Sequence, residues 1–169
     1  MNKPFLLALA IALPQASLVA AEENPDAAFY KNAAEGGIAE VELGKLAQEK
    51  SASPSVKDFG AMMVSDHSAA NDKLKGIAAA KNIKLPTSPS MGQMATKAKL
   101  DVLTGTAFDK SYIKGMVEDH QEDIKEFQKE ALAGRDPDAK AFAKATLPTL
   151  QAHLKKIQSI AASAGVSAD

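Results

Sequence analysis

Apolar residues recur along this chain at spacings of three and four over four long stretches, the period of helices that each bury one face. The first stretch runs from Asp26 to Lys50, with Phe29, Ala33, Ile38, Leu43 and Leu46–Ala47 on its stripe. Gly36–Gly37 interrupts it and marks a kink or a close helix contact. The second opens at Ser53–Pro54, a cap residue followed by proline at the first helical position. It carries Val56, Phe59, Met63, Ala70, Leu74 and Ile77 and ends near Lys81–Asn82. The third opens at Thr106, with Asp109 three residues on as its capping-box partner. It carries Ile113, Met116–Val117, Ile124, Phe127 and Ala131 up to Gly134. The fourth opens at Asp136–Pro137 and carries Phe142, Ala143, Leu147, Leu150, Leu154, Ile157 and Ile160–Ala161. Pro148 is expected to kink this helix or to set its start later.

The connections order these helices in space. The first and third links are short, so helices one and two, and three and four, form antiparallel hairpins. The middle link is long and begins with the turn-rich run Leu85-Pro86-Thr87-Ser88-Pro89-Ser90. A shorter helix is predicted from Met91 to Leu103, with Met91-Gly92-Gln93-Met94 packing it onto the rest or, as the alternative, forming an exposed Met patch. Two hairpins joined by one long crossover give an all-α, ferritin-like four-helix bundle with a short extra helix on the crossover.

Ahead of the helices, Lys3, the apolar run Phe5–Leu13 and Val19-Ala20-Ala21 read as a cleavable signal peptide, 1–21, cut between Ala21 and Glu22. That predicts a periplasmic or secreted protein, a folded unit over 22–164 and a frayed tail over 165–169. No segment long enough to span a bilayer is expected after cleavage. The absence of Cys excludes disulfides, thiolate metal sites, covalent haem and thiol catalysis. A net charge of −1 gives no footprint for nucleic acid. No nucleophile elbow or phosphate loop is present, so no catalytic signature is read and neither haem nor a nucleotide is expected.

The remaining chemistry lies in three histidines. His67 follows Met63 by four, His120 follows Met116 by four, and His153 follows Leu150 by three and precedes Ile157 by four. Each therefore falls on the inward stripe of a different helix. Buried imidazoles need partners, and one metal ion satisfies several at once. Glu40 of the first helix is the expected fourth ligand, with Glu42 competing for that place. Asp66 and Asp119, each next to a histidine, read as acceptors for another helix's imidazole or as rim charges. Met63 and Met116 are core fillers by default and alternative soft ligands if the ion is copper. Val64, Val117 and Leu150 stand three residues before the histidines, where a di-iron site needs Glu. An imidazole-rich set suits zinc, copper or a single iron. The rival reading is a structural or interaction bundle whose histidines are core residues. Imidazole nitrogens more than about 8 Å apart would exclude one shared ion, since each ligand bond is about 2 Å.

Several of these segments together resemble a known family. Ala39-Glu40-Val41-Glu42-Leu43-Gly44-Lys45-Leu46-Ala47, Met63-Val64-Ser65-Asp66-His67-Ser68, Thr104-Gly105-Thr106-Ala107-Phe108-Asp109 with Tyr112, Met116-Val117-Glu118-Asp119-His120 and Leu147-Pro148-Thr149-Leu150-Gln151-Ala152-His153-Leu154 resemble the successive motifs of the DUF4142 family. The resemblance runs from about Ala28 to Ile160. It implies a ferritin-like bundle exported by bacteria and often labelled an outer-membrane protein, with no established activity. The sequence offers neither strand alternation nor a second apolar span to support the membrane label.

Overall fold

In the computed structural model, residues 24–167 are described; the expected signal peptide lies outside them. Five helices follow in order: α1 (Ala27–Lys50), α2 (Pro54–Ala80), α3 (Met91–Asp101), α4 (Gly105–Ala133) and α5 (Pro137–Ala164). Proline at the first position starts α2 and α5, and Asp136 caps α5 by accepting from the Asp138 N–H. Pro148 lies within α5 and does not delay its start. Its missing N–H costs one helical bond, and packing of the flanking turns carries the helix through. Asp109 is not a cap partner. Helix α4 starts one residue earlier than expected, after Thr104, and the Asp109 carboxylate instead accepts from the Ser51 hydroxyl in the α1–α2 turn. Gly165 ends α5 in the left-handed region, and the Val166 N–H returns to the Ala161 carbonyl at 2.9 Å.

Two apolar clusters show how the helices run. One contains Leu43, Leu46, Val56, Phe59, Phe108, Tyr112, Ile157 and Ile160. These come from the end of α1, the start of α2, the start of α4 and the end of α5. The other contains Phe29, Tyr30, Leu74, Phe127, Ala131, Ala139 and Phe142, from the four opposite ends. Helices α1 and α5 therefore run one way, α2 and α4 the other, and the α2–α4 link travels the full length of the bundle. Around the bundle the neighbours are α1 with α2, α2 with α5, α5 with α4, and α4 with α1. This is the ferritin-like arrangement. Helix α3 lies on the crossover against α1 and α4.

Helix α1 is continuous through Gly36–Gly37. The close helix approach is present at Gly37, where a Cβ would overlap the Asn71 side chain of α2, and recurs two turns on, where a Cβ on Gly44 would stand 2.5 Å from the Gly60 carbonyl oxygen of α2. Helix α3 is held by a capping box of Ser90 and Gln93. Of the two readings of its methionines, the exposed patch fits and the packing role does not, since Met91 is 80% exposed and Met94 40%. Among the described residues, no helix is long and apolar enough to cross a membrane.

Candidate metal centre

Between the two apolar clusters lies one layer of polar side chains. On α1 it is Glu40, set between Ala34 of one cluster and Leu43 of the other; on α2, α4 and α5 it is His67, His120 and His153. All four side chains are buried, with exposures of 3%, 7%, 0% and 2% in that order. The ring centroids form a triangle: 6.0 Å from His67 to His120, 5.5 Å from His67 to His153 and 5.4 Å from His120 to His153. One nitrogen from each ring lies within 4.8 Å of the other two. Ligand bonds of about 2 Å place nitrogens about 3.3 Å apart around a tetrahedral ion, so an inward shift of about 1 Å completes the contact. Phe59 walls one side, its ring 6.0 Å from His120 and 6.4 Å from His153.

For His120 and His153, hydrogen bonds fix which nitrogen is bare. His120 Nδ1 lies 2.8 Å from the Met116 carbonyl oxygen, which can only accept. Nδ1 therefore donates, and in the neutral ring Nε2 keeps its lone pair. His153 Nε2 lies 2.9 Å from Asp66 Oδ2, a carboxylate that likewise accepts, so Nδ1 is the bare atom there. His120 Nε2, His153 Nδ1 and His67 Nε2 are buried without a hydrogen-bond partner. Burial holds His67 down to about 3, aided by His120 and His153. Burial also lowers His120 to about 4, against the Met116 carbonyl bond, which raises it. Both rings are therefore neutral near pH 7, the form that ligates metal.

The remaining expected residues separate from this ring. Glu40 belongs to the layer but not to the group of mutually close donor atoms: its Oε1 faces His120 Nδ1, the anchored nitrogen, at 3.7 Å. The expected role as a fourth ligand thus meets the wrong side of the imidazole. Glu42 points elsewhere and pairs with Lys97 of α3 at 3.9 Å. Asp66 acts on His153 from outside the ring, and Asp119 lines a cleft beyond Glu40. Met63 and Met116 are buried in the apolar cluster on the Phe59 side. Sequence reasoning missed Asp123, which lines that same cleft. Its signal was present: Asp123 follows His120 by three, a spacing inspected only upstream of each histidine.

Comparison with known proteins agrees with the architecture. The model of the family described as "Domain of unknown function (DUF4142)" matches residues 12–160. The DUF305 protein from Streptomyces coelicolor has a TM-score of 0.75 at 15% identity, over 88% of this chain and 98% of its own. CopM in the Cu(I)-bound form has a TM-score of 0.68 at 13% identity, over 82% of this chain and 96% of its own. At such identities the likeness speaks for the fold. No curated protein matches the chain.

Proposed function

The chain belongs to the DUF4142 family, whose description assigns no activity, and we propose from the site itself that it binds one transition-metal ion through His67, His120 and His153. The observation that carries this reading is the meeting of three buried histidines, one nitrogen of each within 4.8 Å of the other two, while each ring also has a buried nitrogen without a hydrogen-bond partner. Leaving a buried acceptor unsatisfied costs roughly 1–3 kcal/mol each, and an ion removes all three penalties together. A purely structural layer would leave those penalties standing. Three imidazoles favour zinc or copper over the harder iron. Copper gains support from the Cu(I)-bound state of the structurally similar CopM. The leader-like sequence over residues 1–21 supports a location in the periplasm or outside the cell, where the proposed role is metal handling or protection of the envelope under stress.

The test uses the mature chain without a His tag, stripped with a chelator and titrated with zinc or copper. One equivalent binds, and at a hundredfold excess over Kd the native state gains about 2.7 kcal/mol, a Tm rise of about 5–10 °C. His120→Ala abolishes both. Protein that purifies metal-free and keeps its Tm after zinc and copper addition overturns the reading.

A further inference from the structure

Beyond the imidazole ring, a cleft of about 170 Å³ opens between α1, α3 and α4. Glu40, Asp119, Glu122 and Asp123 line it, and no basic residue does. Surface carboxylates gather often without consequence, but Glu40 is only 3% exposed and its Oε2 has no hydrogen-bond partner. A carboxylate in that position calls for a proton or a cation. Four carboxylates lining one cleft without a basic residue repel one another, and a bound positive charge relieves that repulsion.

Geometry links the cleft to the histidines. A smaller cavity, about 20 Å³, shares Gly36 and Asp123 with the cleft and is lined by His67. Gly36 leaves the join open, since a Cβ there would meet only Gln93 Nε2, at 3.9 Å. On the other flank Glu40 touches the cleft with one side and His120 with the other. At about 170 Å³ the cleft has room for several waters, enough for an ion that keeps part of its hydration. Carboxylates bind such an ion loosely, and imidazoles bind zinc or copper more tightly, so transfer inward runs downhill.

We propose that this acidic cleft is the loading port of the imidazole ring: Asp119, Glu122 and Asp123 capture a hydrated divalent transition-metal ion, and Glu40 holds it at the threshold while imidazoles replace its water. The proposal rests on the metal-binding reading and adds the route of entry. Its signature is kinetic. Steering by clustered charge raises association rates by roughly 10- to 1,000-fold and fades as salt shortens the Debye length.

The experiment follows Co²⁺ uptake by stopped-flow absorbance, at low and at physiological salt, in the full mature chain. Asp119→Asn/Asp123→Asn is compared with Glu118→Gln, which removes an exposed charge of the same helix that pairs with Lys114. The double variant should load at least about tenfold more slowly at low salt and lose most of its salt dependence, while Glu118→Gln stays within about twofold. In the unmodified protein, millimolar Mg²⁺ should slow Co²⁺ uptake more than NaCl of equal ionic strength does, because Mg²⁺ seeks carboxylate oxygen and not imidazole. That second measurement needs no variant to fold. A double variant that folds and loads at the normal rate with the normal salt dependence overturns the port while leaving the imidazole site intact, as does Mg²⁺ acting no more strongly than NaCl. Unmodified protein that takes up no metal overturns port and site together.

Discussion

At the scale of single residues, the site depends on which nitrogen each histidine turns inward. His120 is anchored by its own helix, through the Met116 carbonyl, but His153 is anchored from another helix by Asp66 of α2. On the proposed metal-binding reading, Asp66 is a positioning residue, because its contact with Nε2 leaves Nδ1 of His153 bare. Removing such an outer hydrogen-bond partner typically costs about 10- to 100-fold in metal affinity. Asp66→Ala should therefore weaken zinc binding by about that factor, measured by competition with a chelating dye, while Asp66→Asn keeps an oxygen acceptor and should lose less. Affinities of the two variants within twofold of the parent would remove Asp66 from the site. The inward direction of all three histidines was legible from spacing alone, because a helix repeats every 3.6 residues and fixes the azimuth of each side chain. Which ring nitrogen is bare was not legible. It depends on a carbonyl one turn back for His120 and on a carboxylate 87 positions away for His153. Glu40 illustrates the same limit: its helix face was readable, but its approach to the anchored side of His120 is set by how α1 leans on α4.

At the scale of elements, the joints between helices are built on polar residues whose partners lie far off in sequence. Asp136 was readable as the cap of α5. Its second role was not: it also accepts from Tyr30 of α1 at 3.2 Å and from Asn24 at 2.6 Å, and it pairs with Lys81 after α2 at 3.0 Å. One carboxylate thereby joins three helix ends. Burial alone would raise its pKa, but the bonds from Asn24, Lys81 and the backbone N–H groups outweigh it and leave Asp136 lowered to about 2. A folded-state value below the ordinary 3.8 means that the charged form stabilises the fold above about pH 4 and that this contribution disappears as pH falls through about 2. Asp136→Asn keeps the cap and removes the charge. It should be about 1–2 kcal/mol less stable than the parent in urea unfolding at pH 5, with the gap closing toward pH 2. Taking the difference cancels groups that titrate alike in both proteins, and a gap constant from pH 5 to pH 2 would refute the assignment. The packing role read for the α3 methionines fails for a related reason. An apolar residue in a short helix on a crossover has no fixed face until the helix is docked, and Ser90, Gln93 and Leu100 dock it with Met91 outward.

At the scale of the whole molecule, the core is two apolar clusters separated by a layer of one glutamate and three histidines. The bundle and its crossover were legible because loop lengths and periodicity are local properties. The layer was visible only as four separate stripe positions, since their common height depends on helix directions that emerge with the crossover. A layer of this kind weakens the metal-free fold. Its three bare nitrogens forgo hydrogen bonds that water would give them in the unfolded chain. Apolar residues of similar volume often stabilise such positions, whereas functional sites retain polar groups at a cost in stability. His67→Leu/His120→Leu/His153→Leu should therefore be more stable than the metal-free parent, by about 1 kcal/mol or more, when unfolded in urea at pH 7. It should also show no rise in Tm on adding zinc or copper, where the parent shows one. The two results must occur together. A layer kept for packing would leave the triple variant less stable than the metal-free parent, because hydrogen bonds from His120 and His153 would be lost with nothing gained. A layer kept for an ion gives a metal-free protein that is less stable than its apolar counterpart and a metal-bound protein that is more stable than both.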